Sequence, residues 1–196
     1  MRELLVATSN SGKLREVLAV LEGVPFTLLT LKDVDAGRDV EETGATLEEN
    51  AILKARTYGM RTGKLTLAED TGVEVDALGG RPGVHSARYA PNDTSRNEKL
   101  LQELQGVPEE KRTAVFRTVA AIYDPVTGKV STCEGVCKGR ILRELQGDKS
   151  FGYGPLFFVD ELGKTYGEAE LEERNKISQR GRAIAKAREI LLAEFA

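Results

Sequence analysis

Four apolar residues, Leu4–Ala7, follow Arg2-Glu3 without alternation, the mark of a strand covered on both faces. Leu14, Val17, Leu18 and Leu21 then recur at three- and four-residue spacings, which predicts a helix with one apolar face. Phe26–Leu31 predicts a second strand, and Leu31 to Ala45 an acidic loop holding Gly37 and Gly44. Thr46-Leu-Glu-Glu49 is a capping box, so a helix should open there and run to about Thr62. Leu65–Ala68 predicts a short strand ending at Glu69-Asp70-Thr71-Gly72, where the glycine permits a turn. Val73–Val75 predicts a separate strand leading into Gly79-Gly80-Arg81-Pro82-Gly83.

In the second half, Ser95-Arg-Asn-Glu98 reads as another capping box, opening a helix through Leu104. Arg112–Tyr123 and Lys129–Val136 flank a turn-rich loop at Asp124–Gly128 and predict a hairpin. A short strand, Leu156–Val159, follows Gly152 and Gly154. A final helix carries Ala183, Ile184, Ala187, Ile190 and Leu191 as its apolar stripe. Helices and strands in this order predict an α/β fold around a mixed sheet. No repeat, linker or low-complexity segment divides residues 1–196, so the expectation is one domain of two lobes with a central cleft.

Composition narrows the function. The 196 residues are 40% hydrophobic and 30% charged, enough for a packed core. The net charge of -3 is a poor match for a nucleic-acid backbone, which calls for clustered Lys and Arg. No apolar run approaches the roughly 20 residues that span a bilayer, and the start shows no leader, so a cytoplasmic protein is expected. Cys133 and Cys137, without more Cys and with His85 as the single histidine, do not make a tetrahedral zinc site, and two reduced structural thiols are expected. His85 lacks a visible Ser or Cys partner and reads as structural or as a pocket wall.

The chemistry-bearing segments are few. Thr8, Ser9, Asn10, Ser11, Gly12 and Lys13 join the first strand to the first helix. Small polar residues expose backbone N–H groups at a helix start, and Lys13 adds a charge, as an anion site needs. It is not a Walker A loop, because Thr8 replaces the first glycine and Leu14 the magnesium-binding hydroxyl. On its own the segment reads equally as a helix cap with an exposed lysine. Glu69 and Asp70 at a strand end suit a hard cation such as Mg2+, and Glu41-Glu42 would supply another carboxylate or simply a solvated loop. Lys54 would reach a phosphate or lie exposed on its helix. Lys176 and Arg180, four residues apart, form either a binding pair or a solvated basic face. Phe151-Gly152-Tyr153-Gly154-Pro155 would stack on a planar base, or plug a turn.

Taken in order, Thr8–Lys13, Glu41–Gly44, Glu49–Ala55, Glu69–Gly72, Gly79–Gly83, Ser86–Tyr89, Phe151–Pro155 and Lys176–Gly181 strongly resemble the inosine triphosphate pyrophosphatase (dITP/XTP pyrophosphatase, Ham1-like) family over nearly the whole chain. The resemblance implies a Mg2+-dependent hydrolase, usually a homodimer, that converts ITP, dITP and XTP to the monophosphate and pyrophosphate. It implies that Thr8–Lys13 and Lys54 hold the triphosphate. Glu41 and Asp70, with Glu69 close by, bind the metal, and Asp70 is also the base. Thr71 contacts substrate, Phe151 and Tyr153 with Gly152 and Gly154 frame the purine, and Lys176, Gln179 and Arg180 lie at its edge. Two residues depart from the family pattern: Gly154 stands for its usual aspartate and Gln179 for its usual histidine, both in the implied base pocket. Alternatives are a pyrophosphatase for pyrimidine or modified nucleotides, and a catalytically silent nucleotide-binding regulator.

Overall fold

The computed structural model describes all of residues 1–196. The chain forms β1 (Arg2–Val6), α1 (Ser11–Val20), β2 (Phe26–Thr30), α2 (Leu47–Thr62), β3 (Leu65–Val75) and β4 (Pro82–Gly83). It continues through α3 (Asp93–Glu103), β5 (Thr113–Tyr123), β6 (Val130–Ile141), β7 (Phe157–Val159), β8 (Lys164–Thr165), α4 (Leu171–Ile177) and α5 (Gln179–Glu194). Hydrogen-bonded strand order is β2-β1-β3-β5-β6-β7-β8, with β4 on β3, which is the mixed α/β architecture expected. The residues group into two compact units: 1–70, 118–135 and 180–196 in one, 71–117 and 136–179 in the other.

In the first unit β1 pairs in parallel with both β2 and β3. A parallel neighbour requires a crossover, and α1 and α2 supply the two crossovers. Strand alternation sorts the core. Leu4, Val6, Leu65 and Leu67 face one way, onto Val17 and Leu21 of α1 and Ala183, Ile184, Ala187 and Leu191 of α5. The opposite face meets α2, whose buried positions are Leu47, Asn50, Ala51, Ala55, Tyr58 and Gly59. A methyl group at Gly59 would lie 2.6 Å from the Tyr123 ring, so the missing side chain is what lets α2 settle there.

In the second unit β4 lies antiparallel to the outer part of β3, and β7 is antiparallel to β6 and β8. Its core joins Val73, Val75, Leu100, Leu104, Leu156 and Phe157 with a ring cluster of Phe116, Phe157 and Tyr166. Arg112 is 2% exposed and donates to the carbonyls of Leu104, Ile141 and Leu142 at 2.9, 2.8 and 2.7 Å, tying the end of α3 to the end of β6.

Three sequence expectations are corrected. Leu65–Val75 is a single eleven-residue strand, so Glu69–Gly72 lies inside it rather than in a terminal turn. The adjacent carboxylates and glycine read as punctuation, but Lys13, Lys54 and Arg180 satisfy the charges and the ladder continues. Helix α3 opens earlier than Ser95: Asn92 is its cap, accepting from the Ser95 N–H at 2.9 Å. Strand β6 continues past Val136 to Ile141. The six-residue stretch from Asp124 to Lys129 is too short for a parallel crossover, and its turn closes through Gly128 N–H to the Asp124 carbonyl at 2.8 Å, so the hairpin stands.

Candidate active site

In an open α/β sheet, ligands bind beyond the carboxyl ends of the strands where the strand order reverses. Here the reversal is at β1: the chain goes first to β2 on one side, then to β3 on the other. Beyond the β1 end lies Thr8–Asn10, and beyond the last β1–β3 partners, Val6 and Leu67, lie Glu69 and Asp70. The topology of the first unit alone therefore brings together the loop and the acidic pair that the sequence singled out.

Asn10 is the cap of α1, its side chain accepting from the Lys13 N–H at 3.0 Å, and its own N–H reaches the Thr8 hydroxyl. Ser11, Gly12 and Lys13 form the first helical turn, where the dipole favours an anion. Successive strand residues point to opposite faces, so Glu69 and Asp70 meet different partners. Glu69 meets Lys13 of α1 at 2.9 Å and Arg180 of α5 at 3.5 Å. Asp70 meets Asn50 and Lys54 of α2, each at 3.1 Å. Lys54 also donates to Glu42 at 2.5 Å, so it is a half-buried link rather than an exposed lysine.

The electrostatics follow from burial. Burial pushes the Asp70 carboxyl above its ordinary value against the pull of Lys54, with Glu42 and Glu69 adding to the rise. Burial works against the Lys54 charge, but Asp70, Glu69 and Glu42 outweigh it and hold the ammonium above its usual value. Such a carboxylate is a better proton acceptor than a solvated one, and it stands beside cations of the kind that can offset anionic charge.

Two residues that the sequence reading did not single out belong to this cluster. Asn50 is fully buried, gives its amide N–H to Asp70 and accepts from the Gly44 N–H at 2.8 Å, fastening the acidic loop. Glu16, also buried, pairs with Arg180. The available signal was a polar residue beside or within an apolar helical stripe: Glu16 next to Val17, and Asn50 three residues after Leu47. Glu41 is exposed, whereas its neighbour Glu42 makes the contact with Lys54. Arg180 is held by the two glutamates of this unit.

Mg2+ takes oxygen donors and needs only one or two carboxylates from the protein. Glu42 and Asp70 converge on the Lys54 ammonium, at 2.5 and 3.1 Å, and offer two carboxylates of that kind. The oxygen donor set fits the metal.

The second unit carries the aromatic loop. Phe151 is half-buried, and Tyr153 is buried with its hydroxyl donating to the Ser86 carbonyl at 2.9 Å. Ser86 Oγ accepts from the Val73 N–H at 2.9 Å and donates to the Gly83 carbonyl, so β3 and β4 fix the Tyr153 anchor. Gly152 has φ +62, a left-handed backbone that suits glycine. Thr71 is half-buried on β3, and Gln179 is buried, accepting from the Tyr166 hydroxyl at 3.0 Å. Lys176 is exposed on α4 and pairs with Glu172 of the same helix. A helix break at Ser178 separates it from Arg180, so the two do not share one helical face.

The Ham1 family profile matches residues 4–190. A dITP/XTP pyrophosphatase of Geobacter sulfurreducens is 51% identical over 188 residues, covering 94% of each chain. One from Desulforamulus reducens is 47% identical over 192 residues, covering 96% of this chain and 95% of the relative. The solved structure of a HAM1 protein from Coxiella burnetii superposes with a TM-score of 0.88 at 36% identity, over 98% of this chain and 99% of that one. With a matching profile, near full-length relatives and a shared fold, the chain belongs to the Ham1 family.

Proposed function

We propose that the protein hydrolyses deaminated purine nucleoside triphosphates, ITP, dITP and XTP, to the monophosphate and pyrophosphate, and so removes them from the nucleotide pool. The observation that carries this reading is the pair on β3: Glu69 and Asp70, presented to opposite faces, each answered by a lysine, Lys13 and Lys54. Family membership supports it, since close relatives bear the name dITP/XTP pyrophosphatase.

In this reading Thr8–Lys13 and Lys54 hold the triphosphate and offset its charge. Asp70 accepts a proton from water as the water oxygen bonds to phosphorus and the bond linking the α- and β-phosphates breaks. Asp70 with Glu42 or Glu41 would hold Mg2+, which would screen phosphate charge and orient the substrate, with Glu69 close by on the other face of β3 and held by Lys13. Phe151 and Tyr153, with Gly152 and Gly154, frame the base. Thr71, Lys176, Gln179 and Arg180 serve substrate binding as contacts or supports. The enzyme acts as a homodimer in the cytoplasm.

The test is a panel of inosine, deoxyinosine, xanthosine, guanosine, adenosine and pyrimidine triphosphates, with products identified, with and without Mg2+. Pyrophosphate release fastest from the first three, abolished by chelation, is the expected result. Preference for pyrimidines, orthophosphate as the product, or turnover undiminished by chelation would overturn it.

A further inference from the structure

The aromatic loop is gripped at one residue from outside. Gly152 donates its N–H to Asp93 Oδ2 at 2.8 Å, and its carbonyl accepts from Asn97 Nδ2 at 3.0 Å. Asp93 and Asn97 lie four residues apart on α3 and so share one face of the helix. Neither caps that helix, a task performed by Asn92. Asp93 is itself steadied by an ion pair with Arg96, which also donates to the Ala87 carbonyl.

Asn97 shows that this grip has a cost. The residue is 6% exposed, and its Oδ1 is buried without a hydrogen-bond partner. Native proteins seldom leave such an atom unpaired. The amide is turned so that its nitrogen serves the Gly152 carbonyl while its oxygen goes unsatisfied. A leucine would fill this helix face without that penalty. What the amide secures is the position of the one residue that separates Phe151 from Tyr153, a glycine whose wide conformational freedom would otherwise leave the two rings loosely placed.

We propose that Asp93 and Asn97 are positioning residues for base recognition: they lock both polar groups of Gly152 and thereby set where the Phe151 ring stands for a purine. The inference rests on the proposed role of the 151–154 loop in receiving the base. Loss of the grip leaves the phosphate chemistry in place and loosens the base, so its effect falls on KM and on discrimination among bases.

The experiment compares Asn97→Asp, which keeps the shape and removes the donor, Asp93→Ala, which removes the acceptor, and Asp93→Asn, which retains one. Phe151→Ala serves as the control. Each variant is checked by thermal unfolding, then measured for kcat and KM with inosine and adenosine triphosphates and for inhibition by inorganic triphosphate. Asn97→Asp and Asp93→Ala should raise KM for inosine triphosphate about tenfold and lower the preference over adenosine triphosphate. Both should leave kcat within about twofold and the triphosphate inhibition constant unchanged, while Asp93→Asn recovers most of the preference. Unchanged preference in folded Asn97→Asp and Asp93→Ala, with Phe151→Ala altered, overturns the inference alone. Unchanged preference in Phe151→Ala removes the base-loop reading and the inference with it. A parallel loss of triphosphate inhibition shows a merely structural role and also overturns it.

Discussion

Asp70 is buried, charged and answered from a single helix, so its replacement separates chemistry from folding. In Asp70→Asn the Asn50 and Lys54 contacts persist in weakened form and Lys54 keeps Glu42. Turnover should fall at least about a hundredfold, because a proton acceptor and a metal oxygen are lost together, while the unfolding transition stays cooperative. Near-normal turnover in a folded Asp70→Asn protein would remove this residue from the mechanism. Gly154 makes a second residue-scale case. Its backbone tolerates a side chain, but a Cβ there would sit 2.1 Å from Ser150 Oγ and 3.0 Å from Ser150 Cβ. Restoring the family aspartate by Gly154→Asp should therefore destabilise the protein by about 1–3 kcal/mol through overpacking. Adding Ser150→Gly should recover much of that loss. A denaturant double-mutant cycle showing simple additivity would refute this coupling.

Arg112 poses the question for elements, because α3, β5 and β6 meet through its three hydrogen bonds. Arg112→Met fills similar volume but removes three hydrogen bonds, leaving the Leu104 carbonyl with only the Val107 N–H, so at about 1 kcal/mol for each lost bond a loss of about 2–3 kcal/mol is expected in urea unfolding. Arg112→Lys should restore little, since an ammonium does not reproduce the planar fork; full recovery would contradict that account. The elements also show what a sequence discloses. Local signals were legible: Thr46 does cap α2, accepting from the Glu49 N–H at 3.1 Å, and the α5 stripe is the buried one. The continuity of β3 through Glu69-Asp70 was not, because the cations that neutralise those charges come from helices distant in sequence. The start of α3 was misplaced because Asn92 and Ser95 both qualify as caps, and only the donor geometry decides. Of the candidate site, the 8–13 loop and the acidic pair are readable as motifs. The Asn50 and Asn97 contacts exist only across tertiary distances.

For the whole molecule, the homodimer proposal is checked by sedimentation, which should give twice the 21.4 kDa chain mass at micromolar concentration. A single 21.4 kDa species would refute it. No helix is long and apolar enough to cross a membrane. The chain passes from one unit to the other inside β3, β5 and β6, and once more between Gln179 and Arg180. That threading has a consequence for biosynthesis. The first unit begins with β1 yet lacks Ala183, Ile184, Ala187 and Leu191 of its core until α5 has been translated, after every residue of the second unit. Emergence and completion thus run in opposite orders: the segment made first must wait, with Leu4, Val6 and Leu67 covered only in part by α1, for the ribosome to deliver its lid. A stalled or prematurely terminated message that stops before α5 would release a chain with an open apolar face, a substrate for chaperones and proteases rather than half an enzyme.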